Sequence, residues 1–293
     1  MGNEVSNVEY EGPPEVLKGR DIQSVAEYMK SDQCKNVFVM VVLILCRYIG
    51  VSTSAGIPDF RSPETAEQAN LQRLNLPYPE AVFEINFFRE NPKPFYTLAR
   101  ALYPGKYRPT PTHSFVKVLH DRKLLKMCFT QNIDTLERLA GVPDQAIVEA
   151  HGSFAHQHCI ECGTWYDGHK LKEEILRGEI AYCYECSGLV KPDIVFFGEA
   201  LPPRFHNNIG NLRSADLLII IGTSLTVHPF ASLTQIVPEG CPRILINMDQ
   251  AGDIGTRADD VLLLGKCDDV VRQLCEALGE DWVNDLDVAW KET

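Results

Sequence analysis

The stretch Leu217-Leu-Ile-Ile-Ile-Gly-Thr-Ser224 sets five unbroken aliphatic side chains directly against a glycine and two hydroxyls. A strand with one wet face alternates apolar and polar residues, so a continuous run predicts a strand covered on both faces, as in a parallel sheet flanked by helices. Working outward, similar segments stand at Val37 to Val42, Leu125 to Thr130 before Gln131-Asn132, Ile194 to Phe197 before Gly198, Ile244 to Ile246 before Asn247, and Val261 to Leu264. Between them lie stretches with helical spacing, at His113 to Arg122, at Asp268 to Leu278, and at Asp21 to Lys30, where Asp21 is placed to cap the first turn. Strands alternating with helices predict an α/β, doubly wound, parallel sheet that receives ligands at the carboxyl ends of its strands.

Two stretches interrupt this Rossmann-like alternation. Residues 62–108 begin polar and become rich in proline and aromatics, which predicts a cofactor loop followed by a helical insertion. Residues 153–192 hold Cys159, Cys162, Cys183 and Cys186 as C-x2-C, a gap of 20 residues, and C-x2-C. Two thiolate pairs on tight turns supply the tetrahedral sulfur shell that Zn2+ prefers, and with all four positions filled by protein the metal is structural. His156 and His158 stand beside this zinc-ribbon module as ordinary polar residues. The expected organisation is a disordered leader at 1–20, a discontinuous dinucleotide-binding domain at 21–61, 109–152 and 193–280, the two insertions at 62–108 and 153–192, and a C-terminal tail at 281–293.

The 293 residues carry 45% hydrophobic side chains and a net charge of -12, which suits a globular protein and argues against non-specific binding to nucleic acid or an anionic membrane surface. Val37 to Leu45, the most apolar run, is too short to span a bilayer. Ten cysteines without a secretory signal point to a reducing compartment.

Chemistry concentrates where the predicted strands end. Gly50-Val-Ser-Thr-Ser-Ala-Gly-Ile-Pro-Asp-Phe-Arg61 is crowded with small residues and hydroxyls, and backbone N–H groups in such a turn can hold phosphate. Gly222-Thr223-Ser224 repeats that chemistry, and Asn247 ends a third strand with an amide able to bind a ribose. Three such sites on one sheet edge suggest a dinucleotide. Thr130-Gln-Asn-Ile-Asp-Thr-Leu-Glu137 brings two amides and a carboxylate to another strand end; the same residues also read as a helix start capped by Asn132 or Asp134. His151, next to Gly152, is either structural or a general base with room for a substrate beside it.

Taken together, the motif 50–61 with Ser62-Pro63, Thr130–Glu137, Glu149-Ala-His-Gly152, the four cysteines, Lys191-Pro-Asp-Ile-Val-Phe-Phe-Gly-Glu199 and Gly222-Thr-Ser-Leu225 resemble the sirtuin family over residues 21–280. Leu76-Pro-Tyr-Pro-Glu-Ala-Val-Phe83 and Pro229-Phe-Ala-Ser-Leu233 are most similar to its sirtuin-2-like branch. The resemblance implies an NAD-dependent protein-lysine deacetylase with a structural zinc. In that family the acyl-lysine oxygen attacks C1′ of the nicotinamide ribose, nicotinamide leaves, and the ribose 2′-hydroxyl attacks the resulting carbon. It implies His151 as general base with Asn132 and Asp134 as further catalytic groups. Cofactor contacts are implied for Gly50, Ser52, Thr53, Asp59, Phe60, Arg61, Gln131, Asn132, Ile133, Asp134, Gly222, Thr223, Ser224, Asn247, Met248, Asp249 and Cys267. Val195 and Phe197 would wall the acyl-lysine channel, and the substrate backbone would pair near Gly198-Glu199 and Leu225 to Val227. Acetylated proteins, among them histones or tubulin-like substrates, would be the partners, in the cytoplasm, the nucleus or both, with no nucleic acid and no transmembrane segment.

Two segments differ from the family pattern. Tyr48-Ile49 stand where the family has Gly-Ala before Gly50, and Glu64-Thr-Ala-Glu-Gln68 replaces its Gly-Thr-Gly-Leu-Tyr. A bulky residue at a pyrophosphate turn and added carboxylates near it both oppose cofactor binding. A second reading follows, an impaired enzyme that serves as an acyl-lysine or partner-binding module. A third acceptor chemistry, mono-ADP-ribosyl transfer, uses the same cofactor cleavage.

Overall fold

The computed structural model describes residues 9–41 and 76–293. Among them lie eight strands: β1 (Val37–Val41), β2 (Leu125–Thr130), β3 (Ile147–Glu149), β4 (Gln157–Cys159), β5 (Val190–Pro192), β6 (Leu217–Ile221), β7 (Arg243–Asn247) and β8 (Asp260–Leu264). Six form one parallel sheet in the order β3-β2-β1-β6-β7-β8. Winding proceeds outward from β1 on one side and from β6 on the other, so the switch point falls between these two strands, where a doubly wound sheet opens its ligand crevice.

The unbroken apolar runs have a direct cause. Successive side chains of a strand point to opposite faces, and here each face meets its own core. Val37, Val39, Val41, Leu217, Ile219 and Ile221 pack with the helices Ile22–Met29, Pro111–Asp121, Cys267–Leu278 and Glu280–Lys291. Phe38, Met40, Leu218, Ile220 and Leu245 pack instead with Phe205, Leu212, Phe230 and Leu233. All five residues of β1, β6 and β7 are buried.

A third core joins the two insertions. Phe88, Phe95 and Tyr96, from the helices Ile85–Glu90 and Lys93–Leu102, pack with Tyr166, Leu171, Ile175, Val190 and Phe196 from beside the cysteine quartet. Phe95 and Phe196 meet edge to face with centroids 4.9 Å apart, and the Tyr96 hydroxyl donates to Val190 O at 2.5 Å while accepting from Ala181 N at 3.1 Å. The zinc module therefore gains apolar burial from helices about 90 residues away in the chain, rather than relying on metal alone for its folding free energy.

Three expectations are corrected. Residues 9–20, read as part of a disordered leader, are tied down: the Asp259 carboxylate accepts N–H bonds from Glu15, Val16 and Leu17 at 2.8 to 3.2 Å, and Tyr10 N donates to Gly255 O. Residues 281–293, read as a tail, lie largely in the helix Glu280–Lys291, because Trp282 and Leu286 recur at helical spacing and are buried against the sheet-covering helices. Ile194 to Phe197 is extended but joins no sheet, and its one bridge is the isolated pairing of Phe197 with Glu84. Ile147–Glu149 forms β3, a strand of three residues and so too short to show a period.

Candidate active site

The carboxyl edge of the sheet collects the expected residues from separate strands. Gln131 and Asn132 follow β2, His151 follows β3, Gly222, Thr223 and Ser224 follow β6, Asn247 ends β7 with Met248 and Asp249 beyond it, and Cys267 opens the helix after β8. The expected cofactor residues Gly50, Ser52, Thr53, Asp59, Phe60 and Arg61, and the divergent segments 42–49 and 64–68, lie outside the described residues.

Parallel pairing of Thr130 with Glu149 brings the two loops together, and Ala150 N donates to Thr130 O at 2.8 Å. His151 is half-buried, with Gln131 Nε2 at 3.4 Å from its Nε2. Taking the amide nitrogen as donor makes His151 Nε2 the accepting nitrogen, in a contact long enough to yield to a better donor. Burial lowers the His151 pKa from its ordinary value of 6.5, opposed by a hydrogen bond involving Gln131. The neutral ring is the form that can accept a proton.

Asn132 is buried and its Oδ1 has no hydrogen-bond partner among the described residues. Asp134 is buried too, its Oδ1 accepting from Leu136 N at 2.9 Å, while Thr135 takes the left-handed backbone conformation at the helix start. Asp134 thus satisfies the first N–H of the short helix Leu136–Leu139, in keeping with the helix-start reading of this motif. Ile133 leans on the core of the insertions.

At the other strand ends, Gly222 has φ +65°, and a glycine suits such a turn beneath a ligand. Thr223 Oγ1 accepts from Leu225 N at 2.9 Å. The amide nitrogen of Asn247 donates to Thr223 O at 2.9 Å and Asp249 O at 2.8 Å, tying two loops together. Burial pushes the Cys267 thiol up to about 12, so it is a neutral packing group against Ile246 O. Met248 and Asp249 are exposed.

Val195 and Phe197 alternate with Ile194 and Phe196, whose side chains are buried in the third core, so the first pair faces the opposite side. Val195 N donates to His151 O at 2.8 Å, laying this segment beside the imidazole. Phe197 is 58% exposed, an aromatic surface open to a chain passing over it. Glu199 spends its carboxylate internally, on Phe196 N at 2.7 Å and Lys191 Nζ at 3.0 Å, and its N–H on Phe196 O at 2.9 Å, so it fixes the loop.

The four cysteine Sγ atoms all lie within 4.8 Å of one another, with Cys159–Cys186, Cys162–Cys183 and Cys162–Cys186 separations of 3.5, 3.6 and 3.4 Å. A tetrahedron of Zn–S bonds of about 2.3 Å has edges of about 3.8 Å, so the sulfurs fit zinc. The two halves match in backbone chemistry: Glu161 N and Glu185 N each point at a cysteine sulfur at 3.4 Å. His158 pairs with Asp193 at 2.9 Å and is no ligand.

The Sir2 family profile matches residues 49–229, which include β2, β3, β6 and the cysteine module. The chain belongs to the Sir2 family. It is 57% identical over 293 residues to an NAD-dependent protein deacetylase hst2-1 of Emericella nidulans, covering all of this chain and 79% of that protein. To hst2 of Schizosaccharomyces pombe, also an NAD-dependent protein deacetylase, it is 51% identical over 273 residues, 93% of this chain and 80% of the other. Sirtuin-2 of Danio rerio is 47% identical over 292 residues, 93% of this chain and 75% of its own.

For this Sir2-family chain the described residues fit NAD on the donor and acceptor chemistry itself. The unpaired Asn132 oxygen and the His151 lone pair are acceptors, the complement of ribose hydroxyls, and the turn at Gly222 leaves its strand end without a side chain. Two site residues carry no role in the sequence reading. His113 is fully buried with its pKa lowered by burial to about 4; its Nδ1 accepts from Thr110 N at 3.1 Å, so the proton sits on Nε2, close enough to Asp134 to feel its charge. Glu137, the last residue of the 130–137 motif, lies buried under Asn132. Nothing local flags either one, since burial of a polar side chain is settled by what folds over it.

Proposed function

We propose that this chain is an NAD-dependent protein-lysine deacetylase, releasing nicotinamide, the free lysine and O-acetyl-ADP-ribose. The observation that carries the reading is the placement of a neutral imidazole, His151, between a dinucleotide-type sheet edge and the outward side of Val195 and Phe197. NAD, when bound, supplies a glycosidic carbon that becomes electrophilic as nicotinamide departs. The protein's part is positioning and proton handling. His151 Nε2 receives the proton of a ribose hydroxyl; Gln131 orients that nitrogen; Asn132 Oδ1 accepts from a second hydroxyl; Asp134, with the backbone at Ile133, holds the nicotinamide carboxamide. Residues 50–61 complete the cofactor contacts. Val195 and Phe197 flank a neutral acetylated side chain that needs no counter-charge, and the backbone near Gly198 and Leu225 pairs with the substrate strand. Zinc on the four cysteines holds the module that carries Val190–Phe197.

Histones and tubulin-like proteins are the substrates this reading favours, on family resemblance. A cytoplasmic and nuclear setting accords with the free thiols of the nine described cysteines. The test is nicotinamide release from NAD with and without an acetyl-lysine peptide, in the wild type and in His151→Ala. Release should require the peptide and fall by about 10²-fold or more in the variant, as for loss of a general base. Folded, zinc-loaded wild-type protein that releases no peptide-dependent nicotinamide at millimolar NAD sinks the reading.

A further inference from the structure

Three hydrogen bonds link Thr130, Asn132 and Glu137 beneath the site, two of them ending on one carboxylate oxygen. Asn132 N donates to Thr130 Oγ1 at 3.0 Å, Thr130 Oγ1 donates to Glu137 Oε1 at 2.7 Å, and Asn132 Nδ2 donates to the same Oε1 at 3.3 Å. Thr130, Asn132 and Glu137 are all essentially buried. The Thr130 hydroxyl has one proton, and Glu137 Oε1 at 2.7 Å is the acceptor placed for it. Oε1 then accepts from both the Thr130 hydroxyl and the Asn132 amide nitrogen. An amide beside it must present nitrogen, which leaves its oxygen, the unpaired Oδ1, facing the other way.

We propose that Glu137 is a positioning residue that fixes the flip state of Asn132, turning the amide oxygen toward the reacting ribose. The proposal deepens the deacetylase reading and rests on it. A freely rotating Asn132 would offer its NH2 half the time, and a donor there cannot accept a ribose hydroxyl's proton. Burial first, and then Asp134, raise the Glu137 carboxyl to about 8, with Thr130 opposing and Glu149 adding to the rise; Cys128 and Arg138 also lie within its field. With its proton on Oε2, a neutral Glu137 still offers Oε1 to both donors. The orientation of Asn132 thus survives titration. Glutamine, whose Oε1 is a neutral acceptor of the same shape, should reproduce it, and alanine should not.

The experiment compares Glu137→Gln and Glu137→Ala in two readouts. In the ligand-free protein, labelled with 15N at asparagine and assigned against Asn132→Ala, the Asn132 side-chain amide protons should exchange slowly. Exchange should accelerate by about tenfold or more in Glu137→Ala and stay within about threefold of wild type in Glu137→Gln. In peptide-dependent nicotinamide release, Glu137→Ala should lower kcat by about tenfold or more with little change in peptide KM, and Glu137→Gln should recover most of that loss. A folded alanine variant that keeps both Asn132 protection and kcat overturns the proposal. So does a glutamine variant that falls as far as alanine. Should the alanine variant not fold, the glutamine variant decides alone: retained amide protection supports the assignment and lost protection refutes it. If the wild type releases no nicotinamide, the deacetylase reading fails while amide exchange still judges the orientation.

Discussion

Replacing Gly152 with alanine probes the coupling between the base and the substrate segment. Gly152 has φ +63°, and a Cβ built there would stand 1.7 Å from Asp193 O, against the 3.0 Å that real Cβ contacts respect. Accommodating it means a separation of about 1.3 Å between the His151 loop and the chain at Asp193. That chain is anchored on both sides, by Asp193 N to His156 O and by Val195 N to His151 O, each 2.8 Å, so the strain falls on the geometry that sets Val195 beside the imidazole. The left-handed backbone costs an L side chain about 1–2 kcal/mol and the displaced packing about 1–3 kcal/mol more, together about 3 kcal/mol. For a chain of this length that lowers Tm by about 5 °C or more. A misplacement of about 1 Å at a reacting centre costs about 10²-fold in rate. The assays are kcat/KM for nicotinamide release with an acetyl-lysine peptide and thermal unfolding. Gly178→Ala serves as the control: its φ is +76° but no atom lies within 4 Å of the added Cβ, so it should show the backbone penalty with no change in activity. A Gly152→Ala protein with wild-type Tm and kcat/KM within about threefold of wild type refutes the reasoning.

Three further outcomes are expected. About one zinc per chain should copurify, and Cys183→Ala should speed amide exchange both in 157–192 and in the helices Ile85–Glu90 and Lys93–Leu102, because these share a core; a metal-free protein that is folded and active contradicts the assignment. With the His151 pKa lowered by burial, the acidic limb of the kcat/KM profile should lie below pH 6.5 and vanish in His151→Ala. The stability contribution of that neutral ring should be full above its unfolded value of about 6.5 and be lost as pH falls through the lower folded value; a limb at or above 6.5 counts against the buried placement. Asp259→Ala should release Glu15, Val16 and Leu17 from their shared carboxylate, raising amide exchange at those residues while the sheet strands stay protected; unchanged exchange at 15–17 would show the anchor lies elsewhere.

Much of the sheet was readable because a two-face-buried strand leaves a local signature. Leu125–Thr130 and Leu217–Ile221 coincide with the apolar runs, and Asp21 caps its helix by accepting from Ser24 N at 2.8 Å. The cysteine quartet was readable for a similar reason, since two residues between ligands suffice to build each half of the metal shell. Strand ends rich in glycine, amide and hydroxyl marked the ligand edge before any coordinates did.

Other features have no local signature. Arg243 opens an apolar strand and is fully buried, yet only the pairing of β7 with β8 reveals the bidentate bond to Asp260 at 2.6 and 2.7 Å that makes burial tolerable. Asp259 reaches residues 15–17 across more than 240 positions, and Glu137 acquires a function only when Asn132 folds over it. The sequence by itself determined which segments become strands and which cysteines share a metal, because periodicity and ligand spacing act over a few residues. Tertiary structure alone decided which buried polar atoms are matched and which, Asn132 Oδ1 among them, are left unpaired among the described residues, because a hydrogen bond in the interior depends on strand order and on groups brought together from distant parts of the chain.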